Sequence, residues 1–361
     1  MKKSLIALAA LAAAGVASAQ SSVTLFGIVD ASISHYKTSG GQKRTVLTNS
    51  GYNSSRLGFR GTEDLGGGMS ASFWLEGGMT NDDGTPAGFN FQRRSTVSLA
   101  GGWGEVRLGR DYTPTFYNDS VFDPFGTNGV GTNVINKARN TVTATPFAAG
   151  AAANNNTVTR SSNAVSYFLP SNLGGFYGQV MYAFHEQARP TTGGVGDNGR
   201  YIGTRFGYAN GPINVALAAG KRTGTEPTLA ASPDVKTVNL GAQYDFGAAK
   251  LMGEVSREKY DVGGVETTGK GLMIGTLVPV GAGEIRASVG RMKLDTAGAD
   301  PRATQMALGY VHNLSKRTAL YATYARIKNK DGAALSINQS QVAGIANASS
   351  SGYDLGIRHS F

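Results

Sequence analysis

Apolar and polar residues alternate along most of this chain with a period of two. Val23, Leu25, Gly27, Val29, Ala31 and Ile33 interleave with Thr24, Phe26, Ile28, Asp30 and Ser32. Met69, Ala71, Phe73 and Leu75 interleave with Ser70, Ser72, Trp74 and Glu76. The same rhythm runs through Phe176, Gly178, Val180, Tyr182 and Phe184, and through Val238, Leu240, Ala242, Tyr244 and Phe246. Successive side chains of a β-strand point to opposite faces. Each segment therefore predicts a strand with one apolar face and one small, polar or charged face. The phase blurs over 284–294, 302–312 and 318–329, where the pattern assigns facing only weakly.

The connections discriminate between all-β folds. Seven joints are tight, most of them Gly-rich, at 64–68, 100–104, 171–175, 210–212, 246–249, 279–283 and 313–317. Between them lie eight longer, more polar connections at roughly 35–50, 80–90, 112–160, 187–199, 223–234, 262–266, 295–301 and 330–349. Long and short alternate, so fifteen connections join sixteen strands with both ends of the set on the short-turn side. A β-sandwich gives no reason for such alternation, and a β-helix or propeller would show internal repeats, which are absent. A transmembrane antiparallel β-barrel has short turns at one end, long loops at the other, and strands that alternate apolar-out and polar-in. Closure leaves no unpaired edge in lipid, where each unsatisfied backbone group costs several kcal/mol. Aromatics near strand ends (Tyr167, Phe168, Phe176, Tyr244, Phe246, Tyr310 and Phe361) suit interfacial girdles. The expectation is an all-β, sixteen-stranded transmembrane barrel.

Composition changes this picture little. Met1-Lys2-Lys3, the apolar run Leu5 to Val16 and the small-residue site Ala17-Ser18-Ala19 predict a cleaved signal peptide over 1–19, leaving one barrel domain over 20–361. No later stretch approaches the 18 apolar residues that a membrane helix needs. Cysteine is absent, so neither a disulfide framework nor a thiolate metal site is available. Gly, at 51 of 361, is about twice its usual share, as strands joined by tight turns require. The net charge of +10 raises nucleic acid as a partner. Export argues against it, and the basic residues are dispersed along the sequence. They serve solubility or line a space.

The final residues, Tyr353 to Phe361, alternate strictly and end on an aromatic. In a closed barrel this strand pairs with the first, and Tyr353, Leu355, Ile357 and Phe361 resemble the terminal signature recognised by the outer-membrane assembly machinery. The stretches SSVTLFGIVDA (21–31), SSRLGFRGTEDLGGGMSASFWLEGG (54–78) and GEVRLGRDYTPTFY (104–117), with the YDLGIRHSF terminus, are collinear with a known family. The chain resembles a Gram-negative general diffusion porin of the betaproteobacterial type. The resemblance implies outer-membrane localisation, a homotrimer, and a third outer loop (112–160) folded into each barrel as a constriction. It also implies contact with outer-membrane lipid and, in some members, calcium or lipopolysaccharide at the rim.

Sixteen strands leave an aqueous channel, and selection depends on width and charge at its narrowest level. The 112–160 segment far exceeds the usual loop and carries Pro114, Phe116, Tyr117, Phe122, Pro124 and Phe125, with Asp119 and Asp123. Strand parity points Arg56, Arg60, Arg94, Arg107 and Glu76 into the lumen and leaves Arg93 doubtful. Arg110 matches a family pore arginine in LGRDYTP. An arginine wall facing Asp119 and Asp123 would favour anions, because guanidinium stays ionised and fits carboxylate and phosphate. Asp30 and Glu76 would offset part of that charge.

Catalysis and cofactors are not expected. His35, His185, His312 and His359 are scattered without metal spacing. No nucleophile accompanies His185, and GTEDLGGGMS lacks a phosphate-loop lysine. Three functions remain: weakly anion-preferring diffusion of small hydrophilic solutes, a solute-specific pore with a saturable site, or a plugged structural or adhesive barrel.

Overall fold

The computed structural model describes residues 22–84, 90–140, 159–185, 199–224, 234–262, 264–296, 298 and 300–361. The expected signal peptide lies outside them. Seventeen strands form one antiparallel sheet. They are β1 (Ser22–Thr38), β2 (Lys43–Asn49), β3 (Arg56–Gly66), β4 (Met69–Gly78), β5 (Arg94–Gly101) and β6 (Gly104–Tyr112). Next come β7 (Arg160–Phe168), β8 (Phe176–Ala183), β9 (Tyr201–Asn210), β10 (Ile213–Arg222), β11 (Asp234–Asp245) and β12 (Lys250–Val262). The set closes with β13 (Val265–Val280), β14 (Gly283–Asp295), β15 (Arg302–Asn313), β16 (Thr318–Lys330) and β17 (Ser349–Ser360). Strand β1 pairs with β3 through Ser22–Ile28 and with β2 through Ala31–Lys37, so β2 and β3 together fill one position. The barrel thus has sixteen staves.

Large apolar side chains point outward. Val23, Leu25, Ile33, Val97, Leu99, Val180, Ile202, Leu217, Leu272, Leu308 and Leu355 are all exposed, while inward neighbours such as Ser32, Ser34 and Asp30 are buried. This inverts a soluble protein's arrangement and suits hydrocarbon as the outer solvent. The tight joints lie where the glycines predict. Gly211, Gly247 and Gly281 take φ of +54°, +81° and +57°, a region that residues with a Cβ rarely enter.

Two connections differ from expectation. The first, 35–50, is mostly strand: β1 runs on to Thr38 and turns directly into β2. The irregular part is 50–55, where Asp30 accepts backbone N–H bonds from Tyr52 (2.9 Å) and Asn53 (2.6 Å). The second, 262–266, is a tight hairpin in which Val262 pairs with Val265.

The last strand zips against the first, Ile28 opposite Ser360 and Thr38 opposite Ser350. Beyond it, Gly27 and Phe361 exchange backbone hydrogen bonds of 3.1 Å in both directions. The Phe361 ring lies so close over Gly27 that a Cβ there would meet it at 2.3 Å. Deleting Phe361 removes both bonds at the seam. At roughly 1 kcal/mol each, the deletion is expected to lower the heat-induced unfolding midpoint seen as a gel-mobility shift. An unchanged midpoint would show the seam does not depend on the last residue.

Candidate pore constriction

The segment between β6 and β7 carries helices α1 (Pro114–Phe122) and α2 (Val134–Asn140). Helix α1 starts on a suitable cap, Thr113, whose hydroxyl accepts the N–H of Phe116 (3.3 Å), with Pro114 in the first turn. It packs against inward-facing wall residues of β10 and β11. Asn118 donates to the Ala216 carbonyl (2.9 Å), and Phe122 seats on Gly241, where a Cβ would meet the ring at 1.9 Å. Helix α2 inserts Ile135 over Gly271 and Val134 over Gly290. Arg139 of α2 is almost wholly buried and ion-pairs with Asp119 of α1 and with Glu258 of β12 (2.5 Å).

The opposite wall is rich in arginine. Arg56 reaches Glu76 at 3.3 Å and Arg93 reaches the same carboxylate at 2.6 Å. Arg94 lies 3.8 Å from Asp111 and over the Trp74 ring at 4.6 Å. Arg107 bridges Glu105 (2.8 Å) and Asp111 (2.6 Å). Arg160 stacks on Tyr112 at 4.4 Å and donates to its hydroxyl at 2.9 Å. Arg205, by contrast, is on β9 beside α1: it stacks on Tyr177 at 4.7 Å and donates to the Asn118 side-chain oxygen of α1 at 2.6 Å. Nearer the short turns, Arg60 lies over Phe26 (5.4 Å) and Trp74 (5.2 Å). Five guanidiniums (Arg56, Arg93, Arg94, Arg107 and Arg160) thus cluster with three carboxylates (Glu76, Glu105 and Asp111), four of them in ion pairs.

Four sequence expectations need correction. Arg110 stands opposite Ser95, in step with Leu108 opposite Val97, so it shares the outward face of those exposed residues. It donates to the Gln92 carbonyl (2.5 Å) and to Ser162 (2.8 Å). Alternation persists to Asp111, which points inward at Arg107, and that persistence turns Arg110 out. Asp119 and Asp123 do not face the arginines. Asp119 is buried between Arg139 and the Asn239 amide (2.9 Å). Asp123 accepts N–H bonds from Phe125 (2.9 Å) and Asn133 (3.1 Å). Each carboxylate finds partners within the loop and its supporting wall, which an aqueous slot would not supply. Asp30, capping 51–53, is fully buried and leaves the lining's charge unaltered.

Sequence reading passed over Arg160, Arg205, Asp111 and Tyr112. Parity would have found Asp111, Arg107 and Arg205, whereas Arg160 meets Tyr112 across the long connection between β6 and β7. It also missed the 331–348 segment. Leu335, Ile337 and Val342 of this segment are buried in one apolar cluster with Val130 and Val134 of the preceding long segment and with Met292, Leu294 and Ile327 of the wall. Two loop segments thus pack against the barrel's inner face.

Between them, Lys137 lines a cleft of about 420 Å³ with Tyr36, Asn338 and Asp354. Burial pulls its ammonium down to about 8 against the attraction of Asp354 and Asp123. A depressed lysine turns neutral as pH rises through that value. Anion preference is therefore expected to decline between about pH 7 and 9, and Lys137→Met is expected to remove the decline. Selectivity flat across that range in salt-gradient recordings would separate Lys137 from permeation.

The barrel matches known proteins along its length. A Gram-negative porin family model matches residues 5–332. Outer membrane porin protein 32 of Delftia acidovorans is 46% identical over 368 residues, covering 100% of both chains. An outer membrane porin protein of Bordetella pertussis is 31% identical, again covering 100% of both. Among solved structures, an anion-selective porin from Comamonas acidovorans superposes with a TM-score of 0.82 at 42% identity, covering 95% of this chain and 100% of that one. With its closed, outward-apolar barrel, this chain belongs to the Gram-negative porin family and is an outer-membrane protein.

Proposed function

We propose that this porin is a general diffusion channel for small hydrophilic solutes with a preference for anions. The observation that carries the reading is the lumenal wall of five guanidiniums against three carboxylates. The loop acids Asp119 and Asp123 are turned away from it, so net positive charge at the waist, more than a field between opposed walls, selects the solute. Arg56, Arg93, Arg94, Arg107 and Arg160 form that waist, and α1 and α2 narrow the lumen from the far side. The related anion-selective porin supports the sign of the preference. The working unit is a homotrimer in contact with outer-membrane lipid and lipopolysaccharide. The outward Leu355, Ile357 and Phe361 serve its recognition by the barrel assembly machinery.

Proteoliposome swelling tests the general character. Influx rates should rise linearly with solute concentration and fall smoothly with solute size, small anions entering faster than neutral sugars of equal size. Saturation for one solute would replace this reading with a solute-specific pore. One observation favours a second reading, a barrel closed by its loops: the apolar packing of 331–348 against 130–138 inside the wall. Absence of any swelling from folded protein would establish it.

A further inference from the structure

The cleft beside Lys137 is walled by stretches distant in sequence: β1 and β2 near their shared turn, residues 50–51, residues 127–137 and residues 336–341. Tyr36 on its wall is eight residues further along β1 than Ile28, the partner of Arg56, so the cleft stands nearer the long connections than the waist does. Its volume of about 420 Å³ is that of a small-molecule site. The lining is unusually polar. Of eighteen residues only Ile337 has a purely hydrocarbon side chain, apart from two glycines, and five are carboxamides: Asn49, Asn136, Asn338, Gln339 and Gln341.

Several of these groups have hydrogen bonds still to make. The side-chain carbonyls of Gln339 and Gln341 are buried and accept no hydrogen bond among the described residues. Half a rotation of a carboxamide exchanges its carbonyl with its amino group, so each side chain can offer the cleft a donor or an acceptor. Lys137 makes one long contact, to the Gly129 carbonyl (3.5 Å), and no ion pair among the described residues, which leaves N–H donors unspent. The acids are engaged. Asp354 accepts from the Ser34 hydroxyl (2.7 Å) and the Val130 N–H (2.8 Å), and Asp82 accepts from the Asn49 amide (2.7 Å).

One ammonium against two carboxylates gives the cleft no attraction for anions, the reverse of the waist. What its unspent donors and acceptors suit is a neutral solute that both donates and accepts. We propose that the cleft is a binding site for a neutral sugar. Each hydroxyl of a pyranose is donor and acceptor at once, and the fork of a carboxamide meets two adjacent hydroxyls together. Gln339 and Gln341 take hydroxyl pairs, Lys137 donates to a further oxygen, and the remaining lone pairs of Asp82 and Asp354 accept. A sugar acid would set its carboxylate against those two aspartates. Standing above the waist, the cleft holds sugar without setting the rate at which solutes pass Arg56 and Arg94. Binding there is read at equilibrium, so it stands or falls separately from the conductance.

Saturation-transfer NMR of methyl β-glucoside with the purified full-length porin, in a detergent without a sugar head, tests it. Wild-type protein should give a signal that saturates, with half-saturation in the millimolar range. Methyl β-glucuronide, which differs only in carrying a carboxylate, should bind more weakly. The variant Gln339→Ala/Gln341→Ala should raise the half-saturating concentration of the glucoside on the order of tenfold. Its zero-current potential in sugar-free salt should not change, because neither residue belongs to the waist. A signal that never saturates would overturn the proposal. So would a glucuronide that binds as tightly as the glucoside, or a double variant that binds as wild type does. Should the variant fold poorly, the comparison of the two sugars on wild-type protein decides alone.

Discussion

Replacing Arg139 with alanine is expected to free the constricting segment while leaving the barrel intact. Arg139 is held between Asp119 and Glu258, and its Nη2 approaches the Ser256 hydroxyl at 3.4 Å. It thereby ties α1, α2 and the wall to one another. Removing one partner of a buried ion pair costs about 3–5 kcal/mol, because the carboxylates left behind are buried and unpaired. Burial already raises the Asp119 carboxyl above its usual range, with Arg139 the main opposing influence. Without the guanidinium both acids must take up protons or water, and the helices lose their anchor. The sixteen-stave ladder does not depend on this contact. Single channels of Arg139→Ala should therefore show larger, noisier conductance with a nearly unchanged unfolding midpoint. Arg139→Lys, which keeps the charge but not the fork, should fall between. Traces indistinguishable from wild type would mean the segment is fixed by its apolar contacts alone.

Arg56→Ala and Arg94→Ala are expected to weaken anion preference, each by roughly two- to fourfold in permeability ratio. A unit charge about 5 Å from a permeating ion in water is worth roughly 0.8 kcal/mol. Screening at 0.1 M salt, over a Debye length of about 10 Å, removes near half of that. Loss of the charge acts on both ions, lowering anion entry and raising cation entry. Glu76→Gln should shift the ratio the other way, since that carboxylate neutralises Arg56 and Arg93. Salt-gradient recordings of the three variants provide the check. A shift of the same sign in all three would show that the waist charge does not set selectivity.

Much of the fold was legible because it depends on local rules. Glycine at the tight joints and strict alternation in β1, β4, β8 and β11 identify strands and their facing without tertiary information. The blurred phase over 284–329 has a physical cause: β14, β15 and β16 reverse polarity where the barrel leaves hydrocarbon, carrying Lys293 and Lys328 outward and Leu294 and Ile327 inward. An alternation rule tuned to a single environment loses its sign there. The hairpin at 262–266 read as one of the longer connections, yet Val262 pairs with Val265 and Asp261 with Glu266.

The site was legible only as far as parity reached. Arg56, Arg94 and Arg107 follow from strand alternation. Arg110 was misassigned because the approach to a long loop suggested that alternation had lapsed, whereas pairing with β5 stays in register through Arg110. Asp119 and Asp123 read as pore acids from their position in the loop. Their actual partners, Arg139 and backbone amides of the turn at 125–133, are set by how the loop folds on itself. Arg160 reaches Tyr112 only because β7 returns beside β6 after the long connection.

The zero-current potential of the purified protein in a planar lipid bilayer, recorded across a salt gradient, tests the central claim most directly. That claim is a water-filled barrel with a net positive waist. It predicts stable, ohmic single-channel steps and a potential whose sign reports faster anion than cation movement. A potential of the opposite sign would contradict the assigned waist, and the absence of conductance steps from correctly folded protein would contradict the open lumen itself.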